Sequence, residues 1–201
     1  MISAATSRSS WFYDRLTFLY PVVDIFLKPQ KQKLFEEINK YAPGQLLEIG
    51  VGNGTHLKYY TQHQVIGIDS AQNMLAKAEK HLKPNIQLHH MNGEALQFPD
   101  LHFDYIVLSH VIAVVDDPDK LLHEAHRVLK PNGKLFILNH VTPNNWVRFI
   151  DKSFERISKF AFFKSVFHLS DLTAIKRFNL IHDINAGFFS YFKIMIYEKA
   201  L

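Results

Sequence analysis

The 201-residue sequence contains no cysteine. Disulfide bonds, iron–sulfur clusters, thiolate zinc sites and cysteine nucleophiles are therefore excluded, and any chemistry must use other side chains. Glycine and proline are sparse, with eight of each, which excludes collagen-like and low-complexity chains. Because 47% of the residues are hydrophobic, the chain can bury the core of one ordinary domain.

Long apolar runs are missing as well. A membrane-spanning helix needs roughly 20 apolar residues, and the closest run, residues 16–27, is interrupted by Pro21 and Asp24. The N-terminus lacks the cationic start, apolar middle and small-residue cleavage site of a signal peptide. We therefore expect a cytoplasmic protein, with peripheral association at the inner face of the membrane as its route to any lipid.

Charge is distributed unevenly along the chain, whose formal net charge is +4. Residues 1–40 hold six basic and four acidic residues, residues 41–145 eight and ten, and residues 146–201 nine and five. The last region also contains thirteen aromatic residues. Basic and aromatic side chains together favour an anionic membrane surface as a partner. A nucleic-acid partner is not expected, since the charge forms no basic stripe.

Helix-like and strand-like segments alternate from residue 31 onward. Seven strands are predicted, at residues 46–49, 65–69, 86–90, 103–109, 134–140, 180–185 and 188–197. Helices are predicted at residues 31–41, 56–61, 70–82 (capped by Ser70), 118–130, 146–163 and 171–178. This order predicts an α/β fold with a doubly wound, mostly parallel seven-stranded sheet and helices on both faces. Such sheets bind ligands at the carboxyl ends of their strands.

The N-terminal segment carries apolar residues at helical spacing, namely Phe12, Leu16, Leu19, Val23 and Phe26. Ser9 or Ser10 can cap a first helix, and Pro21 begins a second one after a kink. Two interpretations are open: short helices packed on the domain, or an amphipathic lid that faces a membrane.

A glycine-rich segment, LLEIGVGNGTH at residues 46–56, connects a predicted strand to a predicted helix. Its glycines, Gly50, Gly52 and Gly54, let the backbone approach a ligand closely and expose amides at a helix start. Asp69 lies nineteen residues after Gly50, at the end of the next predicted strand. An acid there can accept hydrogen bonds from both ribose hydroxyls, so the pair of motifs is typical of an adenosine-binding site.

The motif resembles motif I of class I S-adenosylmethionine-dependent methyltransferases. Thr55 occupies the position where a dinucleotide fingerprint needs glycine or alanine, and the acid Glu48 precedes the loop. The resemblance implies a Rossmann-like methyltransferase fold over residues 41–140, with S-adenosyl-L-methionine as cofactor and S-adenosyl-L-homocysteine as product. A nicotinamide-dependent oxidoreductase is the alternative from another class, and Thr55 argues against it.

Further motifs follow in that family's order. Asn92, Gly93 and Glu94 resemble the segment that contacts adenine, with Asn92 replacing the usual aspartate, and its side-chain oxygen can still accept from the adenine amino group. The resemblance also implies that Glu48, Ser70, Met74 and Ser109 contact the cofactor. For Glu124 and the segment at residues 127–133, which match a later family motif, helix capping and packing explain the pattern.

The segment at residues 109–141, with Trp11, Tyr13 and Asp14, resembles bacterial phosphatidylethanolamine N-methyltransferases of the membrane-associating type. This resemblance implies a single domain: residues 1–40 as a helical lid, 41–140 as the cofactor-binding core and 141–201 as the substrate side. Basic residues at helical spacing in residues 148–159 either contact the membrane or form a solvated helix face. A soluble small molecule or a quinone precursor is the alternative substrate.

Methylation of an alkyl amine requires a lone pair held in line with the methyl group. An amine with a pKa near 10 is protonated at pH 7, and deprotonation costs roughly 4 kcal/mol. A neutral histidine or tyrosine can accept this proton, and Tyr13, His110 and His140 are the candidate catalytic residues by position. Alternatively, His110 contacts the cofactor or packs, and Tyr13 only closes the lid. No metal site is predicted.

Overall fold

The computed structural model describes residues 20–140, 169–186 and 192–200. Its strands are β1 (Gln45–Ile49), β2 (Gln64–Asp69), β3 (Ile86–His90), β4 (Phe103–Ser109), β5 (Leu129–His140), β6 (Phe178–Asn185) and β7 (Phe192–Lys199). The helices are α1 (Tyr20–Ile38), α2 (Gln72–Ala78) and α3 (Pro118–Val128). Short 3₁₀ turns lie at Leu57–Tyr59, Glu79–His81, Leu169–Asp171 and Ala174–Arg177.

All seven strands belong to one sheet in the order β3-β2-β1-β4-β5-β7-β6. Strands β1 to β5 are parallel, whereas β7 runs antiparallel between β5 and β6. The predicted doubly wound, mostly parallel α/β sheet is thereby confirmed, and the strand order reverses between β1 and β4.

The core has two layers because successive residues of a strand point to opposite faces. In β1, Leu46 packs with α1, α2 and the turn after the glycine loop, whereas Leu47 packs with α3. Both leucines are completely buried. Strands buried on both faces carry continuous apolar runs, which is why β1 and β4 were recognisable from the sequence.

Helix α1 differs from the prediction in length. The helical spacing from residue 31 is confirmed, but the helix extends back through Pro29 to Tyr20. An interior proline removes one backbone hydrogen bond, and the buried face that follows it, Leu34, Phe35 and Ile38, anchors the helix to the sheet. The predicted segments before residue 20 lie outside the described residues, as does the predicted helix at residues 146–163.

Several predicted helices are shorter in the structure. Residues 56–61 contain only the 3₁₀ turn at Leu57–Tyr59, and residues 171–178 contain only the turn at Ala174–Arg177 after one at Leu169–Asp171. The prediction that Ser70 caps a helix is wrong, because Ala71 occupies the N-cap position without a side-chain hydrogen bond. Helix α3 ends at Val128 because the next residue already pairs with Phe103 of β4.

Among the described helices, none combines the length and the apolar composition needed to cross a bilayer.

Candidate cofactor site

The carboxyl ends of β1, β2 and β4 meet at the point where the strand order reverses. Ile49 pairs with Ile68 on one side and with Leu108 on the other. After β1 the chain turns at once, and the amides of Gly50 and Val51 both donate to the carbonyl of Ile68, at 2.8 and 3.0 Å. The connections after β1 and β4 cover opposite faces of the sheet, so a cleft is expected between them.

The glycine loop needs glycine for conformation and for space. Gly50, Gly52 and Gly54 have φ values of 78°, 58° and 72°, in the left-handed region. A Cβ at Gly50 would lie 2.2 Å from Cγ2 of Val111, and one at Gly54 would lie 2.7 Å from Cβ of Ala78. The loop is therefore packed between the segment after β4 and helix α2, and larger residues would displace it.

Asp69 ends β2 beside this loop. Its Oδ2 accepts a hydrogen bond from the Gly52 amide at 2.8 Å, and its Oδ1 accepts from the Ala71 amide at 2.9 Å. Burial raises the pKa of Asp69, although these two hydrogen bonds act in the opposite direction. A carboxylate oxygen can accept two hydrogen bonds, so Asp69 can hold the loop and accept from ribose hydroxyls together.

The segment after β3 lies next to Asp69, because the Met91 amide donates to the Asp69 carbonyl at 3.1 Å. Asn92 begins a turn in which its own Oδ1 accepts from the Glu94 amide at 2.9 Å. Gly93 packs closely, since a Cβ there would lie 2.5 Å from Cγ2 of Ile49. The contact between Asn92 and adenine stays a prediction, and the structure adds that this side chain also shapes the turn.

Glu94 contacts the loop that follows β4. Its Oε1 accepts hydrogen bonds from the amides of Asp116 and Asp117, at 2.8 and 3.1 Å. Glu94 therefore ties the segment after β3 to the segment that carries His110. Its predicted contact with the cofactor remains untested, but its carboxylate has a positioning role that the sequence analysis did not foresee.

Ser109 and His110 lie where β4 ends. The Ser109 hydroxyl is buried and has no hydrogen-bond partner among the described residues. The His110 amide donates to the Leu138 carbonyl at 2.8 Å, and its φ of 60° is unusual for a residue other than glycine. Its ring meets that of Phe192 edge-on, with centroids 5.7 Å apart. Strained backbone of this kind concentrates at functional sites.

His140 is the last residue of β5, beside β4. Parallel pairing of Ser109 with Leu138 brings the backbones of His110 and His140 to the same edge of the sheet. The His140 side chain and the whole of Tyr13 lie outside the described residues, so their catalytic roles stay predictions.

Three predicted cofactor residues remain, namely Met74, Ser70 and Glu48, and they differ in exposure. Met74 is 2% exposed and lies in the first turn of α2. Ser70 is exposed, and its carbonyl lies 2.9 Å from Nε2 of His90. Met74 and Ser70 stand close to Asp69 along the chain, and the contact of all three residues with a cofactor stays a prediction.

Glu48 is completely buried beneath the loop. Its Oε1 lies 2.7 Å from Nε2 of His56, and its Oε2 accepts from the Tyr60 hydroxyl at 2.9 Å. Burial, with the neighbouring Glu48 carboxylate, raises the pKa of Tyr60 well above its usual range. The sequence analysis did not predict His56 and Tyr60. The signal that could have identified them is their position. They are polar residues just after the glycine loop, and Glu48, an acid in a buried strand, precedes that loop.

Arg127 fastens the segment at residues 96–100 to helix α3. Its guanidinium donates to both carboxylate oxygens of Glu124, at 2.9 and 2.8 Å. It also donates to the carbonyls of Leu96 and Phe98 and to the carboxylate of Asp100. This network confirms the interpretation of this motif as packing, and it supports the segment that follows Asn92.

No group of three histidine or acidic residues in the described part of the chain could hold a metal ion.

Comparison with known proteins supports the class of protein that this site indicates. A family model described as a methyltransferase domain matches residues 47–137. The chain is 32% identical over 145 residues to a phosphatidylethanolamine N-methyltransferase from Cereibacter sphaeroides, which covers 69% of this chain and 71% of that protein. A demethylmenaquinone methyltransferase from Lysinibacillus sphaericus is 42% identical over 77 residues, covering 37% of this chain and 33% of that protein.

A crystal structure of an S-adenosylmethionine-dependent methyltransferase from Thermotoga maritima has the same fold, with a TM-score of 0.72 and 21% identity. The match covers 96% of this chain and 100% of that one. At 32% identity over more than two thirds of both chains, the relative from Cereibacter sphaeroides shows that the chain belongs to the methyltransferase family.

The cofactor is therefore S-adenosyl-L-methionine, and the nicotinamide alternative is set aside. The described residues fit this molecule. Asp69 keeps acceptor capacity for a ribose, the glycine loop permits close approach of backbone to ligand, and the buried Ser109 hydroxyl has a hydrogen bond to offer.

Proposed function

We propose that this methyltransferase N-methylates the head-group amine of phosphatidylethanolamine-type phospholipids. The observation that carries the proposal is the relative from Cereibacter sphaeroides, because that match extends over 69% of the chain rather than over the cofactor motifs alone. It therefore includes regions that have no role in holding the cofactor.

The bound cofactor supplies an electrophilic methyl group, and the chain must supply a neutral amine in line with it. An ammonium has no lone pair, and removing its proton at pH 7 costs roughly 4 kcal/mol. His110 and His140 belong to neighbouring strand ends, where a neutral imidazole can accept this proton. The ring of Phe192 packs against His110 and gives this place an apolar wall, which disfavours the ammonium form.

The same proposal includes a peripheral membrane location. Residues 146–201 combine nine basic residues with thirteen aromatic residues, of which Phe178, Tyr197 and Lys199 are buried in the domain and do not contribute. Each basic residue near an anionic leaflet contributes about 1 kcal/mol of binding free energy, and inserted aromatic side chains add to it. In this view the chain that precedes the buried end of α1 at residues 34–38 forms a lid over the substrate. A lipid enzyme of this kind would take its substrate from the membrane surface.

A quinone precursor is the second candidate substrate. Several demethylmenaquinone methyltransferases match this chain at 37–42% identity over 77–84 residues. These matches span only 33–36% of those proteins, so they support the shared methyltransferase chemistry more strongly than the acceptor.

The test is methyl transfer from labelled cofactor to vesicles. Purified protein is incubated with anionic vesicles that contain phosphatidylethanolamine, and with matched vesicles in which phosphatidylcholine replaces it. Label in mono- and dimethylated lipid from the first vesicles only is the expected result. A third set of vesicles contains phosphatidylcholine and a demethylated quinone, and label in that quinone, with none in phosphatidylethanolamine, would contradict the proposal.

A further inference from the structure

A buried polar cluster closes the base of the cofactor loop. Glu48 lies in β1 before the loop, and His56 and Tyr60 lie after it. The three residues are 0%, 4% and 1% exposed, respectively. His56 and Tyr60 each make one hydrogen bond to a separate oxygen of the Glu48 carboxylate, at 2.7 and 2.9 Å. We call these three residues the clamp.

Helix α1 covers the clamp through Phe35, which is 1% exposed. The Phe35 ring stacks on the His56 ring with centroids 5.3 Å apart and an angle of 16° between the planes. It meets the Tyr60 ring edge-on at 4.8 Å. The imidazole is thus held in its plane by an aromatic neighbour, with its Nε2 directed at the carboxylate.

The clamp joins the two ends of the loop at residues 49–55. Each of the three loop glycines has greater backbone freedom than other residues, so the loop loses much entropy on being ordered. A side-chain bond between residues 48 and 56 restricts that freedom before any ligand arrives. Preorganisation of this kind raises affinity because the loop is already ordered, so that less conformational entropy is lost when the cofactor binds.

The carboxylate also depends on its two donors. A carboxylate oxygen only accepts hydrogen bonds, so the His56 bond uses a proton on Nε2. If the His56 donor is removed, Oε1 of the buried Glu48 carboxylate loses its hydrogen bond. The carboxylate then moves toward another donor or lets water in, because an unpaired buried acceptor is unfavourable. Either response would shift β1 relative to the first loop residues, whose backbone conformation is fixed by hydrogen bonds from the Gly50 and Val51 amides to Ile68 and from the Gly52 amide to Asp69.

We infer that His56 is a positioning residue for the cofactor loop: with Tyr60 it holds Glu48, and through Glu48 it sets the loop geometry that binds S-adenosylmethionine. This role concerns cofactor binding and is independent of which acceptor is methylated. Neither histidine nor tyrosine needs to touch the cofactor.

The test compares two histidines that are both buried against α1. His56→Leu removes the donor, whereas His56→Gln keeps an N–H near the position of Nε2. The matched control is His63→Leu. His63 is 0% exposed, lies 3.3 Å from the Ile38 carbonyl through its Nε2, and packs on Tyr105 rather than on the loop.

Affinity for S-adenosylmethionine is measured by calorimetry at a temperature where each variant is folded, together with hydrogen exchange of the loop amides. We expect His56→Leu to weaken binding about tenfold or more and to speed exchange at residues 50–56. His56→Gln should recover most of the affinity, and His63→Leu should bind like the unmodified protein even if it is less stable.

Equal weakening by His56→Leu and His63→Leu would overturn the inference, because a general loss of packing would then explain both. Unchanged affinity in His56→Leu, or no recovery in His56→Gln, would overturn it as well. If His56→Leu does not fold, Tyr60→Phe removes the other donor with little change of shape, and unchanged affinity and loop exchange in that variant would count against the clamp.

Discussion

The interior strands β1 and β2 and the edge strand β6 differ in how their polar side chains are placed. Beside β1 and β2, the carboxylates of Glu48 and Asp69 are removed from water and receive hydrogen bonds from rings, hydroxyls and loop amides. At the far end, Asp183 of the edge strand β6 is more exposed and pairs with Lys193 at 2.6 Å. The first arrangement fixes the geometry of a loop, whereas the second is an ion pair at the surface of the protein.

Hydrophobic side chains show the same contrast. Every residue of β1 after the first is buried, including Leu46 and Leu47, whereas β6 exposes Leu180 at 51% and Ile181 at 38%. Changes near β1 should therefore alter cofactor binding, and changes in β6 should leave it intact. The following variants test this difference between β1 and β6.

The largest effect is expected for Asp69→Ala. It removes the predicted acceptor of both ribose hydroxyls and the partner of two loop amides, and two lost charged hydrogen bonds correspond to about 4 kcal/mol, or roughly a thousandfold in affinity. Calorimetry with S-adenosylmethionine measures this. Asp183→Ala is the control, because an exposed ion pair contributes less than about 1 kcal/mol; equal losses in both variants would refute the contrast.

Gly50→Ala should come next. The φ of 78° is unfavourable for alanine, and the added methyl would lie 2.2 Å from Val111. Strain and overpacking together should lower the free energy of unfolding by about 3 kcal/mol, measured by urea denaturation, and cofactor affinity should fall with it. Gly44→Ala, whose close neighbours are side-chain atoms of Asp104 and Tyr105, should be milder; a Gly50→Ala protein of normal stability would contradict the assigned loop geometry.

A smaller effect concerns pH and the contact between α3 and the edge strand β6. Burial, with nearby Lys199 and Arg177, lowers the pKa of His126 to about 4, and its ring packs edge-on against Phe178 of β6 at 5.2 Å. His126 therefore takes up a proton more readily in the unfolded chain than in the folded one. Its contribution to the free energy of unfolding is fully present above pH 6.5 and is lost as the pH falls toward 4. Allowing for solvent screening, the loss is about 1 kcal/mol.

Urea denaturation at pH 7 and at pH 4.5 measures this effect. His126→Gln cannot gain a proton and should lose less stability between the two pH values than the unmodified protein. An identical pH dependence in both proteins would show that other groups account for it. Cofactor affinity at pH 7 should be unchanged in the variant, since His126 packs on Phe178 of the edge strand β6 and not on the glycine loop.

The smallest effect is expected for Leu180→Ser. Because this side chain is half exposed on an edge strand, its replacement should change the free energy of unfolding by less than about 0.5 kcal/mol. Binding of S-adenosylmethionine should not change. A marked loss of affinity would show that β6 supports the cofactor site, which the contrast between the interior strands and the edge strand denies.

Local signals predicted much of the fold and the centre of the site. The apolar runs of β1, β2 and β4, the spacing of the glycines and the acid at position 69 depend on residues close in sequence, and all three features occupy their expected places. Predictions of helix ends were weaker. Ser70 has the chemistry of a cap, but the turn into α2 is already held by the Asp69 carboxylate, which accepts from the Ala71 amide.

Contacts between distant segments could not be predicted in this way. Glu48 looked like part of a motif, but its partners His56 and Tyr60 became evident only when the loop was closed. In the same way Glu94 was expected beside the adenine, and its bonds to the amides of Asp116 and Asp117 depend on where the chain after β4 returns.

The class of this protein could be predicted from the sequence because a methyltransferase motif is a short pattern of glycines and acids with a direct chemical meaning. How those residues are held depends on the tertiary structure. A buried carboxylate must find donors wherever the fold brings them, and in this fold they come from His56 and Tyr60, whose bonds to Glu48 form when the loop folds back beneath helix α1.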